Sequence, residues 1–333
     1  MTKILKPTPE MTELLKKSGS NNREESLAAT RELAIALTLP LRQGVMAGDI
    51  TDGIFERTVL DPGAPSEYPL DLLAPGTEKD YVAYTIPNHG YIPQRNVEGD
   101  YVMVPTFDIG AAIDYNLKYA RNARWDVAGR AMNVLKSGFV KKVNDDAWHV
   151  VLGAGVDRNI LVFDGDAAAG QFTKRLVSLM KTVVRRNGGG NSSSINRGQL
   201  TDLYLSPEGI EDMRDWKVDQ VDEITRREIY VADDGSLNRI FNVNLHTLDE
   251  LGEDQEYQTY FTSTLSGALA SGDLELVVGL DLRNRDAFVM PVREDLQIFE
   301  DPELHRKRRA GFYGWMEQGY GALDGRRVIL GSY

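Results

Sequence analysis

The chain has 333 residues, 42% of them hydrophobic and 26% charged, with a formal net charge of −12 and no cysteine. That length allows two or three lobes with cores of their own, and the lack of cysteine excludes disulfides, thiolate zinc sites and cysteine nucleophiles and favours a cytosolic origin. A dedicated DNA binder would carry the opposite charge. The acidity is what solubility at high concentration asks for, and it still permits a protein that encloses nucleic acid without gripping it. No apolar run approaches the roughly 20 residues needed to span a bilayer, and the first residues do not form a signal peptide.

Residues 1 to about 50 read as an arm. Met11–Lys17 is a short amphipathic helix, and Ser18-Gly19-Ser20-Asn21-Asn22 reads as a flexible break. A second helix, Glu24–Leu39, is expected to end at Pro40, with Leu27, Leu33, Ile35, Ala36 and Leu39 as its apolar side. Such helices, outside a main domain, need something to dock on. Between Thr51 and Asp100 prolines and glycines are dense, with short strand-like pieces at Tyr81–Ile86 and Tyr101–Val104. That density argues against helices and central strands, and a structureless loop this long is rare in a compact domain, so an extended hairpin is expected.

The strongest helical pattern is Asp126–Leu152. Val127, Ala131, Leu135, Phe139, Val143, Ala147 and Val151 form its stripe, Val134, Val140, Trp148 and Val150 widen it, and Gly153-Ala-Gly155 is expected to end it. At about 1.5 Å per residue it runs roughly 40 Å, a spine against which a sheet can pack. A strand at Asn159–Phe163, a helix at Gln171–Arg185 and a flexible Gly/Ser loop at 187–194 follow. The block Thr201–Phe261 opens with a strand, Leu203–Leu205, that runs into a helix capped by Ser206 with Pro207 in its first turn and Ile210, Met213 and Trp216 on one side. A turn at Asp233-Asp234-Gly235 precedes a strand at Ile240–Leu245. Leu274–Leu282 and Phe288–Val292 read as strands, and the tail, Arg308–Leu330, adds aromatic strands and a turn at Asp324-Gly325. The class is mixed α+β, with no solenoid-period repeat.

The chemistry-bearing residues are dispersed. His89, His149, His246 and His305 lack the spacing that puts two imidazoles on one helical face. Gly153-Ala-Gly155 ends a helix where a dinucleotide loop must open one, and Gly188-Gly-Gly190 lacks the Gly-Lys-Ser/Thr of a phosphate loop. Asp164 and Asp166 begin like a calcium loop, but Arg175 stands where a bidentate glutamate is required. Asp145-Asp146 and Asp233-Asp234 are adjacent carboxylates with no sign of the burial that acid–base work needs. His305-Arg-Lys-Arg-Arg309 is the one dense basic run; it contacts phosphates or an acidic patch on a neighbouring subunit, or it is solvated and paired with Glu300, Asp301 and Glu303. These features point to no catalytic residue, metal or cofactor.

The order of parts resembles the major capsid protein of tailed bacteriophages, of the Hong Kong ninety-seven type. Three stretches carry the resemblance: the spine ending Asp145-Asp146-Ala-Trp-His-Val-Val-Leu-Gly153, the strand-to-helix step Leu203-Tyr-Leu-Ser-Pro-Glu-Gly-Ile210, and Ile229-Tyr-Val with Ile240-Phe-Asn-Val243 and Leu245. The resemblance implies an N-terminal arm (1–52), an extended β-hairpin loop (53–105), a peripheral domain with the spine helix (106–158 and 285–320) and an axial domain (159–284 and 321–333). It further implies pentamers and hexamers in an icosahedral head around double-stranded DNA, without sequence-specific binding, in a virion assembled in the bacterial cytoplasm. A portal, a separate scaffolding protein and a decoration protein are its expected partners, and no membrane is involved.

Some members of that family weld subunits between a loop lysine and a peripheral asparagine. Lys79 lies in the loop, but no asparagine follows Asn284, so no such crosslink is expected. Lys79, Arg306, Lys307, Arg308 and Arg309 are the candidate contacts between subunits. The rival readings are an encapsulin-like nanocompartment and an enzyme with an unrecognised site.

Overall fold

The computed structural model describes residues 8–61, 63–69, 86, 101–187, 198–216, 239–283 and 287–333. The first half holds α1 (Pro9–Ser18), α2 (Arg23–Met46), β1 (Glu56–Val59), β2 (Glu67–Pro69), β3 (Tyr101–Met103), β4 (Phe107–Asn116), α3 (Leu117–Arg121) and α4 (Trp125–Asp157). Then come β5 (Leu161–Phe163), α5 (Lys174–Asn187), β6 (Asp202–Leu205), α6 (Pro207–Asp215), β7 (Arg239–Ile240), β8 (Val243–Thr247), β9 (Leu276–Leu280), β10 (Phe288–Glu300), β11 (Arg309–Gln318), β12 (Gly321–Ala322) and β13 (Val328–Ser332). Mixed helix and sheet is thus the class, as the sequence implies. The chain divides into two compact units, Met1–Ser66 with Met103–Ala147 and Met290–Gly321, and Glu67–Val102 with Trp148–Val289 and Ala322–Tyr333.

The first unit is built on strands ordered β1-β10-β11-β4. β11 and β4 pair antiparallel in unbroken register from Arg309↔Asn116 to Gln318↔Phe107, whereas β10 slips against β11 between Val292 and Gln297. Met132, Leu135, Phe139 and Val143 of α4 close over Ile109, Ile298, Phe312 and Met316 of this sheet. The same core takes in Leu15 of α1 and Leu33, Leu37, Leu41 and Val45 of α2, so both helices of the arm dock within the unit.

Three expectations for this part change. Helix α2 continues through Pro40 to Met46. Proline costs a helix interior about 3 kcal/mol, but burying Leu41 and Val45 beside Leu33 and Leu37 returns roughly 1.5–3 kcal/mol per side chain. The buried face is correspondingly different: Leu33 lies in it, while Ile35 and Leu39 are 66% and 61% exposed. The Ser18–Asn22 break is a tied turn. Ser26 Oγ donates to Ser18 O at 2.5 Å, Arg121 Nε donates to Gly19 O at 2.7 Å, and Asn22 caps α2 by accepting from Glu24 N at 3.2 Å.

The Pro/Gly-rich stretch leaves and returns through the paired strands β2 and β3. Below them Val104 N donates to Ser66 O at 3.0 Å. The expected strand at 81–86 lies outside the described residues except Ile86, as do Lys79, His89, the Gly/Ser loop at 188–194, Ile229-Tyr-Val and the turn at 233–235.

The second unit has strands ordered β5-β13-β9-β6-β8-β7. β13 is parallel to β5, β6 is parallel to β8, and β9 runs antiparallel to both β13 and β6. Alternation sorts the two faces. Leu203, Leu205, Val243, Leu245, Val277 and Ile329 share a core with Leu176, Met180 and Val184 of α5 and Ile210 and Met213 of α6. On the other face Tyr204 meets Trp148 edge-on, and Trp148 stacks with Tyr257. Ser206 caps α6 as expected, accepting from Gly209 N at 3.1 Å, with Pro207 opening the helix.

Other boundaries shift for local reasons. α5 starts at Lys174, where Thr173 Oγ1 accepts from Leu176 N at 3.2 Å. The stretch expected as one strand at Ile240–Leu245 is two, β7 and β8, joined by Phe241 and Asn242 at φ 48° and 63°. That is the left-handed geometry of a tight hairpin. β10 runs on to Glu300, well beyond Val292.

The spine helix does not stop at Gly153-Ala-Gly155 but reaches Asp157, and Asn159 at φ 50° terminates it. Gly155 is there for a close approach: a Cβ on it would stand 2.7 Å from Leu330 Cγ, whereas one on Gly153 meets nothing within 4 Å. Gly155→Ala is therefore expected to destabilise this unit by about 1–3 kcal/mol. Gly153→Ala is expected to stabilise it by up to about 1 kcal/mol. Paired thermal melts would show the opposite signs.

Candidate functional site

Two clusters of buried polar groups in the second unit are held by mutual hydrogen bonds. Asp281, fully buried, accepts from Gln199 N at 2.8 Å, Arg283 Nη2 at 2.9 Å and Arg327 Nη1 at 2.8 Å. Burial alone would raise its carboxyl, but Arg283, the Gln199 N–H and Arg327 outweigh it and hold the group below the usual carboxylate range. Ser206, Glu275 and Tyr333 form a second knot. Tyr333 Oη donates to Glu275 Oε2 at 2.6 Å and lies 2.7 Å from Ser206 Oγ, which also donates to Glu275. Burial, first, raises the Glu275 carboxyl, against the lowering effect of these two hydroxyls. A serine beside a carboxylate has the makings of a nucleophile and base, but Ser206 is fully buried and its Oγ is committed to capping α6. The knot fastens the last strand to the strand-to-helix step.

The other sequence candidates resolve in the same way. Arg175 lies 3.4 Å from Asp164 and also pairs with Asp166, so a guanidinium sits where a calcium loop would hold its ion. His246 Nε2 lies 2.9 Å from Asp202 Oδ1, which also accepts from Asn244 at 3.0 Å. His149 stacks on Tyr260 with ring centroids 3.6 Å apart. Asp146 pairs with Lys142 at 2.6 Å. Among the described residues no group of three or more His, Cys, Asp or Glu side chains is placed to hold a metal ion. No helix of the described residues is long and apolar enough to cross a membrane. In the first unit, Arg42 and Arg57 both pair with Asp295 beside a cavity of about 130 Å³, whose apolar lining includes Phe55, Met290, Leu296 and Met316.

The basic run divides. Leu304–Lys307 is a single 3-10 turn, Arg308 takes the left-handed region at φ 57°, and Arg309 opens β11. Arg306, Lys307 and Arg308 are exposed. The expected pairing of this run with Glu300, Asp301 and Glu303 is corrected at Arg309, whose Nη1 lies 2.7 Å from Asp114 on β4. The register explains this: Asp114 faces Gly311, two residues along the same side of β11 from Arg309.

Two surface features carry no sequence motif. In the first unit large apolar side chains stay exposed, among them Ile35, Leu39 and Met46 on α2, Val134 on α4 and Phe107 on β4. In the second unit a groove runs along the outer side of α5, lined by Lys174, Lys181, Arg185 and Arg283, with Phe241 at one end. Its signal was in the sequence, as a block of one sign: residues 167–201 hold six Lys or Arg and no Asp or Glu.

A groove lined by cations is suited to a partner of opposite sign. The solved structures similar to this chain carry the same architecture. One from Microbacterium phage Oxtober96 superposes with a TM-score of 0.59 at 11% identity, covering 86% of this chain and 90% of the other. The capsid of a native GTA particle gives 0.52 at 14% identity, covering 85% and 89%. The capsid of Myoviridae phage XM1 gives 0.52 at 11% identity, covering 85% and 90%. No protein-family model and no curated protein matches the sequence. The chain has the Hong Kong ninety-seven-type capsid fold, as the resemblance implied.

Proposed function

We propose that the chain is the major capsid protein of a tailed phage, a structural subunit without catalysis that assembles as pentamers and hexamers into an icosahedral head around double-stranded DNA. The observation that carries this reading is the capsid fold over about 85% of the chain. The two separate cores support a division into a peripheral domain (106–158 and 285–320), on which the arm (1–52) packs, and an axial domain (159–284 and 321–333); an extended loop (53–105) completes the subunit. Exposed side chains such as Ile35, Leu39 and Val134 supply the weak, repeated contacts from which a shell closes, each reversible and collectively stable. Arg306, Lys307, Arg308 and Arg309, with Lys79 on the loop, are further contacts between subunits. A net charge of −12 fits DNA held by confinement after a motor packs it through a portal. A separate scaffolding protein and a decoration protein complete the set of partners, in a virion assembled in the host cytoplasm.

Light scattering and negative-stain imaging of the expressed chain test the reading. Megadalton particles or ring-shaped capsomers are expected; a small monodisperse species would sink it. Double-stranded DNA inside purified particles supports a phage head, whereas an enzyme cargo would favour a nanocompartment. Mature particles are expected to run as single chains on denaturing gels, since the tail has no asparagine to accept Lys79.

A further inference from the structure

The second unit segregates its charge in sequence and in space. Residues 167–201 carry six cations and no carboxylate; residues 240–282 carry eight carboxylates and no Lys or Arg. The first block builds the groove along α5, about 930 Å³ in volume, in which Ser178, Thr182 and Gln199 join the cations and which no carboxylate lines among the described residues. The second block builds a surface turn after β8. There Asp249, Glu253, Asp254 and Glu256 are exposed, and Glu250 is half-buried.

The groove touches the start of β8, and the acidic turn follows its end. Lys181 Nζ donates at 2.6 Å to the carbonyl of Phe241, in the turn that starts β8. The acidic turn begins just past Thr247, where β8 ends. Five strand residues span about 17 Å, so Lys181 does not reach the turn of its own chain. Each copy carries one basic groove and one exposed acidic turn. Two such different faces on one chain make a heterologous contact, in which the turn of one copy enters the groove of the next and the repeat closes into a ring. For subunits of net charge −12, which repel one another overall, a local pairing of opposite sign also fixes the orientation of approach.

We propose that the α5 groove, centred on Lys181 and Arg185, docks the acidic Asp249–Glu256 turn of a neighbouring copy of this chain. The inference rests on the shell reading above and adds the residues that join adjacent subunits. A shared-charge alternative, DNA phosphates in the groove, is separated from it by the test.

The test uses the full chain with Lys181→Glu/Arg185→Glu, with Asp249→Lys/Glu253→Lys, and with all four changes together. Arg185→Glu alone serves as a milder variant, because Lys181 also holds the Phe241 carbonyl. Thermal melting confirms that each is folded. At near-physiological salt each double reversal is expected to lower the yield of rings or particles roughly tenfold or more, with the quadruple variant recovering most of it. Raising the salt should weaken assembly of the unaltered chain, since contacts at exposed charges are screened. If both doubles and Arg185→Glu assemble like the unaltered chain, the docking is refuted while the shell reading stands. Normal assembly of Lys181→Glu/Arg185→Glu with depleted DNA content would assign the groove to phosphates and also overturn it. If the unaltered chain forms neither rings nor particles, both readings fall.

Discussion

Asp281→Ala is expected to lower the stability of the second unit by about 3–5 kcal/mol, the range for removing one member of a buried ionic network. Asp281 is fully buried, and its two oxygens gather an N–H from Gln199 before β6, the guanidinium of Arg283 after β9 and that of Arg327 before β13. Removing the carboxylate takes this buried acceptor from both guanidinium groups and from the Gln199 and Arg283 backbone N–H groups. Arg283 keeps about a third of its side chain in solvent, which places the effect toward the lower end of the range. Asp281→Asn keeps the shape and one acceptor and should cost roughly half as much.

The pH dependence follows from the direction of the shift. The Asp281 carboxyl titrates below its unfolded value of about 3.9, so its contribution is fully present above that pH and is lost as pH falls through the lower folded value. Melting curves between neutral pH and about pH 2 should therefore show a shallower acid limb for Asp281→Asn than for the unaltered chain. A parallel pair of limbs would mean that the network does not hold the carboxyl ionised.

Trp148→Ala is the second large effect, expected at about 3–5 kcal/mol. The indole is fully buried between Tyr204, with centroids 4.8 Å apart and nearly perpendicular, and Tyr257, stacked at 6.0 Å. Truncation removes the centre of this aromatic layer and leaves a cavity under the sheet. Trp148→Phe should cost far less than its loss of volume predicts. The Trp148 Nε1–H is buried without a hydrogen-bond partner among the described residues, and phenylalanine removes that unsatisfied donor. Denaturant unfolding followed by near-ultraviolet dichroism would separate the two variants; equal losses would refute the account of the N–H.

The spine helix, the Ser206-capped step and the α+β class were legible in the sequence because each rests on local chemistry. A four-residue stripe, a serine before a proline and alternating strands need no knowledge of what lies across the core. The errors fell where a distant contact outweighs a local signal. Pro40 is a helix breaker by propensity, yet Leu41 and Val45 beyond it bury in the first unit's core. Gly153 and Gly155 read as a stop, yet Gly155 is small to admit Leu330, which is 175 residues away. One of the two readings of the basic run paired Arg309 with the acids beside it in sequence, and strand register gives it Asp114 instead.

The buried knots were invisible for the same reason: Ser206, Glu275 and Tyr333 meet only because β9 lies beside both β6 and β13. By itself the sequence determined the kind of elements, their order and a charge divided into blocks, since propensity, periodicity and formal charge belong to the chain. Only the tertiary structure decided which glycine marks a contact, which carboxylate is buried and which cations share a groove. Those depend on residues far apart in sequence being brought within a few ångströms, and no local rule contains that information.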